Sequence, residues 1–149
     1  MDYDLLVEQL KGLAEAEAWY VPLMANASAL LWDSLEDINW AGFYLTRGNG
    51  LVLGPFQGKV ACVRIPAGKG VCGTAMATDE TQLVPDVHAF PGHIACDSAS
   101  NSEIVIPIHW EEKVVAVLDI DSPTKRRFTA ADQEGLERFV RALEEAIEF

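Results

Sequence analysis

Three cysteines, Cys62, Cys72 and Cys96, and three acids, Glu103, Asp119 and Asp121, have the types and spacing from which chemistry can be built. In the segment from Val114 to Asp121, alternation puts Val115, Val117, Asp119 and Asp121 on one side of a strand and Val114, Ala116, Leu118 and Ile120 on the other. If the segment from Ile104 to Trp110 precedes it in a hairpin whose loop is Glu111 to Lys113, Trp110 lies opposite Val114 and Glu103 opposite Asp121. A two-residue loop sends Glu103 to the wrong face. Three carboxyls on one otherwise apolar face repel one another and raise at least one pKa, which suits a cationic ligand or a proton held ready for donation. The alternative is a solvated strand end beside Ser122 and Pro123.

Each cysteine has its own setting. Cys72 stands where the Gly-rich run from Pro66 to Gly70 enters a helix, and unpaired amides there favour a thiolate; core packing is the competing role. Cys96, with His93 three residues earlier and Asp97 next to it, occupies a long polar segment and is expected to be accessible and mobile. Cys62, in a strand-like stretch, reads as a structural thiol, although disulfide exchange with a mobile loop cysteine stays open to it. Cys72, Cys96, His88 and His93 form a candidate zinc set, but without a CxxC pair or a second His pair no metal is expected. A papain-like Cys/His hydrolase lacks an orienting Asn or Asp that spacing singles out.

The elements that position these groups follow from periodicity. Tyr3, Leu6, Leu10 and Leu13 recur at helical spacing, and a second apolar set runs from Val21 to Leu35 after a break around Trp19 to Pro22. From Ile38 to Thr46 the period is two, with Ala41, Phe43 and Leu45 on one face and Trp40, Gly42 and Tyr44 on the other. Leu51 to Phe56 and Val60 to Ile65 read as strands joined by a turn at Gln57 to Lys59, followed by a short helix around Cys72 to Ala77 and a short strand at Gln82 to Val84. Pro85 to Ser102 is too long for a bare connector and is expected to carry function. Thr129 with Asp132 resembles a capping box that opens a last helix burying Leu136, Phe139, Val140, Leu143 and Ile147. The pattern predicts an α+β sandwich: helices from both chain ends on one face of an antiparallel sheet, with the other face free for a ligand pocket.

The 149 residues match one ordinary domain, and half of them are apolar, enough for a core without a staple. A net charge of −12 repels phosphate backbones and anionic membrane surfaces, so neither nucleic acid nor membrane is an expected partner. The first ten residues show neither a basic leader nor a long apolar run, which points to a cytoplasmic protein. An odd number of cysteines in a reducing compartment favours a chemical or packing role over a disulfide framework.

The motifs together resemble a known family. The run Asn39-Trp40-Ala41-Gly42-Phe43-Tyr44, then LVLGPFQGKVACVRIP, GKGVCGTA, DVHAFPGHIACDSASNSEIVIPI, VLDIDSP and Arg127-Phe128, is similar to the free methionine-R-sulfoxide reductases, which are GAF domains. VACVRIP, GVCGTA and HIACD together are not expected of ordinary GAF sensors; Ala67, Lys69 and Ala116 depart from the family pattern outside the thiol and carboxylate positions. The resemblance implies a GAF-like fold with Cys96 as nucleophile, Cys62 as principal resolving thiol and Cys72 as a further cysteine sharing in resolution. It also implies that Glu103, Asp119 and Asp121 bind substrate and that Trp40 and Tyr44 wall the pocket. The implied substrate is free methionine-R-sulfoxide, with no bound cofactor, recycling by thioredoxin or a similar dithiol, and a homodimer among the partner states. The rival from another class is a non-catalytic GAF sensor of a small molecule; the final helix ends at Phe149 without an output domain, which favours the enzyme.

Overall fold

The computed structural model describes every residue except Ala95 and Asp97, so the acid noted beside Cys96 lies outside the described residues. Two helices open the chain, α1 (Tyr3–Ala16) and α2 (Tyr20–Ser34), and α4 (Ala130–Ala146) closes it. Between them run β1 (Trp40–Thr46), β2 (Gly50–Gly58), β3 (Arg64–Pro66), helix α3 (Gly70–Thr78), β4 (Gln82–Val84), β5 (Ser102–Trp110) and β6 (Lys113–Ser122).

The helices form where the sequence supplies caps and an apolar stripe. Asp2 caps α1 by accepting the Leu5 amide, and Tyr3, Leu6 and Leu10 face inward. Pro22 falls in the first turn of α2, where the amide it lacks would have no helical partner. At α4 Thr129 and Asp132 make the expected reciprocal capping box. The Tyr3 hydroxyl also donates to Asp132 at 2.6 Å, tying the two ends of the chain together.

The six strands form one antiparallel sheet in the order β3-β2-β1-β6-β5-β4. One face, with Ala41, Phe43, Ile104, Ile106, Ile108, Leu118 and Ile120, is buried under α1, α2 and α4. Each fully buried Leu, Ile or Phe contributes roughly 1.5–3 kcal/mol of transfer free energy, so this layer supplies most of the folding drive. The opposite face carries Trp40, Tyr44, Val105 and Val117 beneath α3 and the segment around Val84 and Val87. No described helix is long and apolar enough to cross a membrane.

Two sequence expectations are corrected. Gln57 and Gly58 continue β2 rather than turning, because Gly58 pairs with Trp40 at the far end of β1. Of the expected strand from Val60 to Ile65, only Arg64 and Ile65 are strand, and β3 pairs with Gly50 to Val52; the stretch before it leaves the sheet, with Val60 90% exposed. Gly58 reverses the chain there at φ +135, a conformation L side chains rarely adopt.

A third correction concerns the β5–β6 hairpin. Its loop is the two residues Glu111 and Glu112, both with positive φ (53° and 66°), and Trp110 lies opposite Lys113. A bulge then intervenes: His109 faces Val114, Ile108 faces Ala116, and Val115 is the extra residue. One residue lost in the turn and one gained in the bulge cancel, so Glu103 still lies opposite Asp121.

Candidate active site

The register gathers the acids on the face away from the three long helices. Asp121 lies between Trp40 on β1 and Glu103 on β5, and Asp119 lies between Gly42 and Val105. Gly42 brings no side chain next to Asp119, and its backbone approaches β2 so closely that an added Cβ would come within 2.2 Å of the Phe56 Cβ. Glu103 and Asp119 are 8% and 5% exposed. Burial raises the pKa of all three acids, most strongly for Glu103 and Asp121, which the Asp119 charge pushes up further. Carboxyl oxygens of Glu103 and Asp119 lie within 4.8 Å of each other, and burial with mutual repulsion favours keeping a proton on the cluster. Among the described residues, Oδ1 of Asp119 and Oδ1 of Asp121 are buried without a hydrogen-bond partner. Two unpartnered acceptors in an acid-rich pocket are suited to a donor that carries positive charge.

The cysteines divide differently from the expectation. Cys62 and Cys96 are joined by a disulfide, with sulfurs 2.06 Å and Cα atoms 5.5 Å apart. Reading Cys62 as a structural thiol is therefore corrected, because the residue lies in the irregular stretch that left the sheet. Cys72 is free and buried, with Sγ 3.9 Å from Oε2 of Glu103. Burial pushes its thiol pKa well up, and the charges of Asp119, Glu103 and Asp121 add to this. Of the two readings of Cys72, core packing is favoured over a thiolate at the α3 entrance: desolvation and three neighbouring acids oppose the helix dipole.

Trp40 and Tyr44 stack at 5.8 Å, and Phe56, not singled out from the sequence, also stacks on Trp40 at 5.0 Å. Its signal was the register of β2, which places Phe56 opposite Gly42. Both polar tips of the aromatic pair are used. Trp40 Nε1 donates to the Lys59 carbonyl at 3.2 Å, and the Tyr44 hydroxyl, kept protonated by burial and the Asp119 charge, donates to the Cys62 carbonyl at 2.9 Å. The wall of the cavity thereby holds the Cys62 segment in place. Ser100, also unforeseen, borders the cavity, and its hydroxyl accepts from Asn39 Nδ2 at 3.1 Å.

The cavity, about 550 Å³ including its open mouth, is bordered by Trp40, Tyr44, Cys72, Cys96 and the three acids, with His93 at its edge. The zinc set weighed from sequence is divided: the Cys96 sulfur is committed to the disulfide, and His88 Nε2 bonds Asn101 Oδ1 at 3.0 Å. The arrangement combines a disulfide whose Cys96 borders the cavity, a cluster of buried acids and an aromatic wall.

Comparison with known proteins agrees with this geometry. Residues 4–147 match the GAF domain family. The chain is 53% identical over 145 residues to the free methionine-R-sulfoxide reductase of Escherichia coli (strain K12), covering 97% of this chain and 88% of that protein. The Saccharomyces cerevisiae protein of the same name is 47% identical over 156 residues, covering 97% and 87%. The structure of fRMsr of Staphylococcus aureus in complex with substrate superimposes with a TM-score of 0.93 at 52% identity, covering 99% of this chain and 96% of that one. With its fold, sulfur pair and acid cluster already described, the chain belongs to the free methionine-R-sulfoxide reductase family of GAF domains.

Proposed function

We propose that the protein reduces free methionine-R-sulfoxide to methionine within one catalytic unit spanning the chain, and that Cys96 is the sulfur that takes the oxygen. The Cys62–Cys96 disulfide at the mouth of an acid-floored cavity carries this reading, since it is the product expected after one turnover. The Cys96 thiolate attacks the sulfoxide sulfur while a protonated carboxyl among Glu103, Asp119 and Asp121 donates to the oxygen. In balance, thiol and sulfoxide become sulfenic acid and thioether. Cys62 then condenses with the sulfenic acid, forming the disulfide and releasing water. Two electrons and two protons from thioredoxin or a similar dithiol restore both thiols, a cycle suited to the reducing cytoplasm. Cys72, protonated and outside the disulfide, is a reserve resolving thiol.

The acids also explain a preference for the free amino acid. An ammonium group can donate to the buried Oδ1 atoms of Asp119 and Asp121, and a methionine inside a polypeptide has no such charge. Trp40 and Tyr44 supply the surface for the thioether methyl. The sensor alternative predicts binding without turnover. Incubation with racemic free methionine sulfoxide and dithiothreitol separates the two: loss of the R epimer alone, with methionine formed, supports the enzyme, whereas saturable binding without methionine rejects it. Cys96→Ser should abolish single-turnover methionine release, and Cys62→Ser should allow one turnover and then stall. The same stall in Cys72→Ser instead would reassign the resolving thiol.

A further inference from the structure

The disulfide is ringed by features that the reduction chemistry does not use. Val60 and Val63 flank Cys62 and are 90% and 61% exposed, and Ile94, two residues before Cys96, is 37% exposed. Ile94 is seated against Gly70, where even a Cβ would lie 3.3 Å from its Cγ1, and the Gly70 amide donates to the Gly92 carbonyl at 3.1 Å. Val60 and Ile94 border the same cavity as Cys96, and Val63 is next to Cys62 in the chain, so exposed aliphatic side chains form an apolar rim beside the disulfide. Lys69 borders the same cavity, and Lys59 and Arg64 lie three residues before and two after Cys62 in the chain; all three are exposed. The charge distribution makes this unusual: all 23 acids of the chain lie outside residues 38–78, a stretch that contains Arg47, Lys59, Arg64 and Lys69. The Cys62 side of the rim is a cationic and apolar island on a strongly anionic protein, and the first acid on the Cys96 side is Asp97.

We propose that this island is the docking surface of the protein dithiol that reopens the disulfide, a partner whose thiols lie in a flat apolar face flanked by acidic residues. The proposal rests on the reading that Cys62 and Cys96 become a disulfide in each cycle. The acidic remainder of the chain repels such a partner and the island attracts it, which orients the encounter. The partner's thiolate bonds to Cys62 Sγ, the sulfur on the chain segment that carries Val60 and Val63, and Cys96 leaves as a thiolate. The partner's second thiol then displaces Cys62, so the partner is oxidised to a disulfide and both enzyme thiols are restored with the two protons it gives up.

The test compares thioredoxin with dithiothreitol, a small dithiol that needs no docking surface, as reductants of the whole enzyme turning over free methionine-R-sulfoxide. Val63→Glu should lower kcat/KM for thioredoxin by about ten-fold or more and leave dithiothreitol-supported turnover unchanged. Wild-type kcat/KM for thioredoxin should fall as salt rises from about 50 to about 500 mM, and Lys59→Glu/Arg64→Glu should remove that dependence. A thioredoxin lacking its second cysteine should become trapped on Cys62. Wild-type thioredoxin kinetics in both variants, parallel losses with the two reductants, or trapping on Cys96 would overturn the proposal. Failure of the wild-type protein to form methionine even with dithiothreitol would instead overturn the enzymatic reading beneath it.

Discussion

Opening the Cys62–Cys96 bond should cost the fold much of its margin. The bond closes a loop with a sequence separation of 34 residues. Such a cross-link removes unfolded-chain entropy worth ~3.8 kcal/mol at 25 °C in the chain-entropy relation. The folded state gives up little on reduction, because the helix-side core does not involve either cysteine. For a domain of this size each kcal/mol moves the melting midpoint by about 2–4 °C, so reduction should lower it by roughly 8–15 °C. The assay is thermal unfolding followed by circular dichroism, on protein oxidised with one equivalent of substrate and on the same sample after dithiothreitol. Cys62→Ser and Cys96→Ser should melt like the reduced wild type under both conditions, and Cys72→Ser should keep the full difference. Equal midpoints for the oxidised and reduced wild type would refute the argument, as would a Cys72→Ser protein that loses the shift.

Other consequences follow from the same geometry. Raised pKa values for Glu103, Asp119 and Asp121 mean that substrate KM should fall as pH rises and the acids ionise to hold an ammonium, while kcat falls as the proton donor is lost; pH profiles of both parameters check this, and a flat kcat contradicts it. The raised values favour the protonated folded state, so stability present at low pH is lost as pH climbs from the ordinary carboxylate range through the raised ones. Asp121→Asn should therefore melt higher than wild type at neutral pH while turning over more slowly. Gly42→Ala places a Cβ 2.2 Å from the Phe56 Cβ and 2.6 Å from its Cα, and should destabilise by about 1–3 kcal/mol and raise KM by displacing the aromatic stack; wild-type values for both would show slack in the strands. His109 bonds Asp79 at 2.5 Å and Glu144 at 2.7 Å; burial opposes its charge, but the two carboxylates outweigh that and raise its pKa. Its contribution should be complete below the ordinary histidine pKa and lost as pH rises through the raised one, so the melting difference between wild type and His109→Ala should shrink over that window.

The sheet was legible wherever alternation met a buried face. Trp40 and Tyr44 fall opposite Ala41 and Phe43 in phase because one set packs under helices and the other lines a cavity, and period two records that difference directly. The stretch Val60 to Ile65 has the same alternation without the same fate, since a run of apolar residues does not reveal whether a neighbouring strand exists to pair with it. Cys62 was misread for that reason. The hairpin shows another limit: the Glu111-Glu112 turn lacks the Asn-Gly or Asp-Gly signature that advertises a two-residue loop, and a bulge at Val115 leaves no mark in the alternation of its neighbours. Cys72 turned on a matter of magnitude. The helix entrance was visible, but the acids arriving from two other strands were not weighed against it. Phe56 and Ser100 join the site through pairings between segments distant in the chain, which spacing within one segment does not show.

Trp40 and Tyr44 grip the Lys59 and Cys62 carbonyls with their polar tips, which under the proposed function fuses selectivity and recycling into one mechanical part. Trimming either ring to admit a bulkier sulfoxide also unmoors the loop that delivers the second sulfur. Laboratory efforts to retarget the pocket will therefore meet a linked penalty in regeneration, and libraries that vary these two positions need compensating changes in residues 59–63 to escape it.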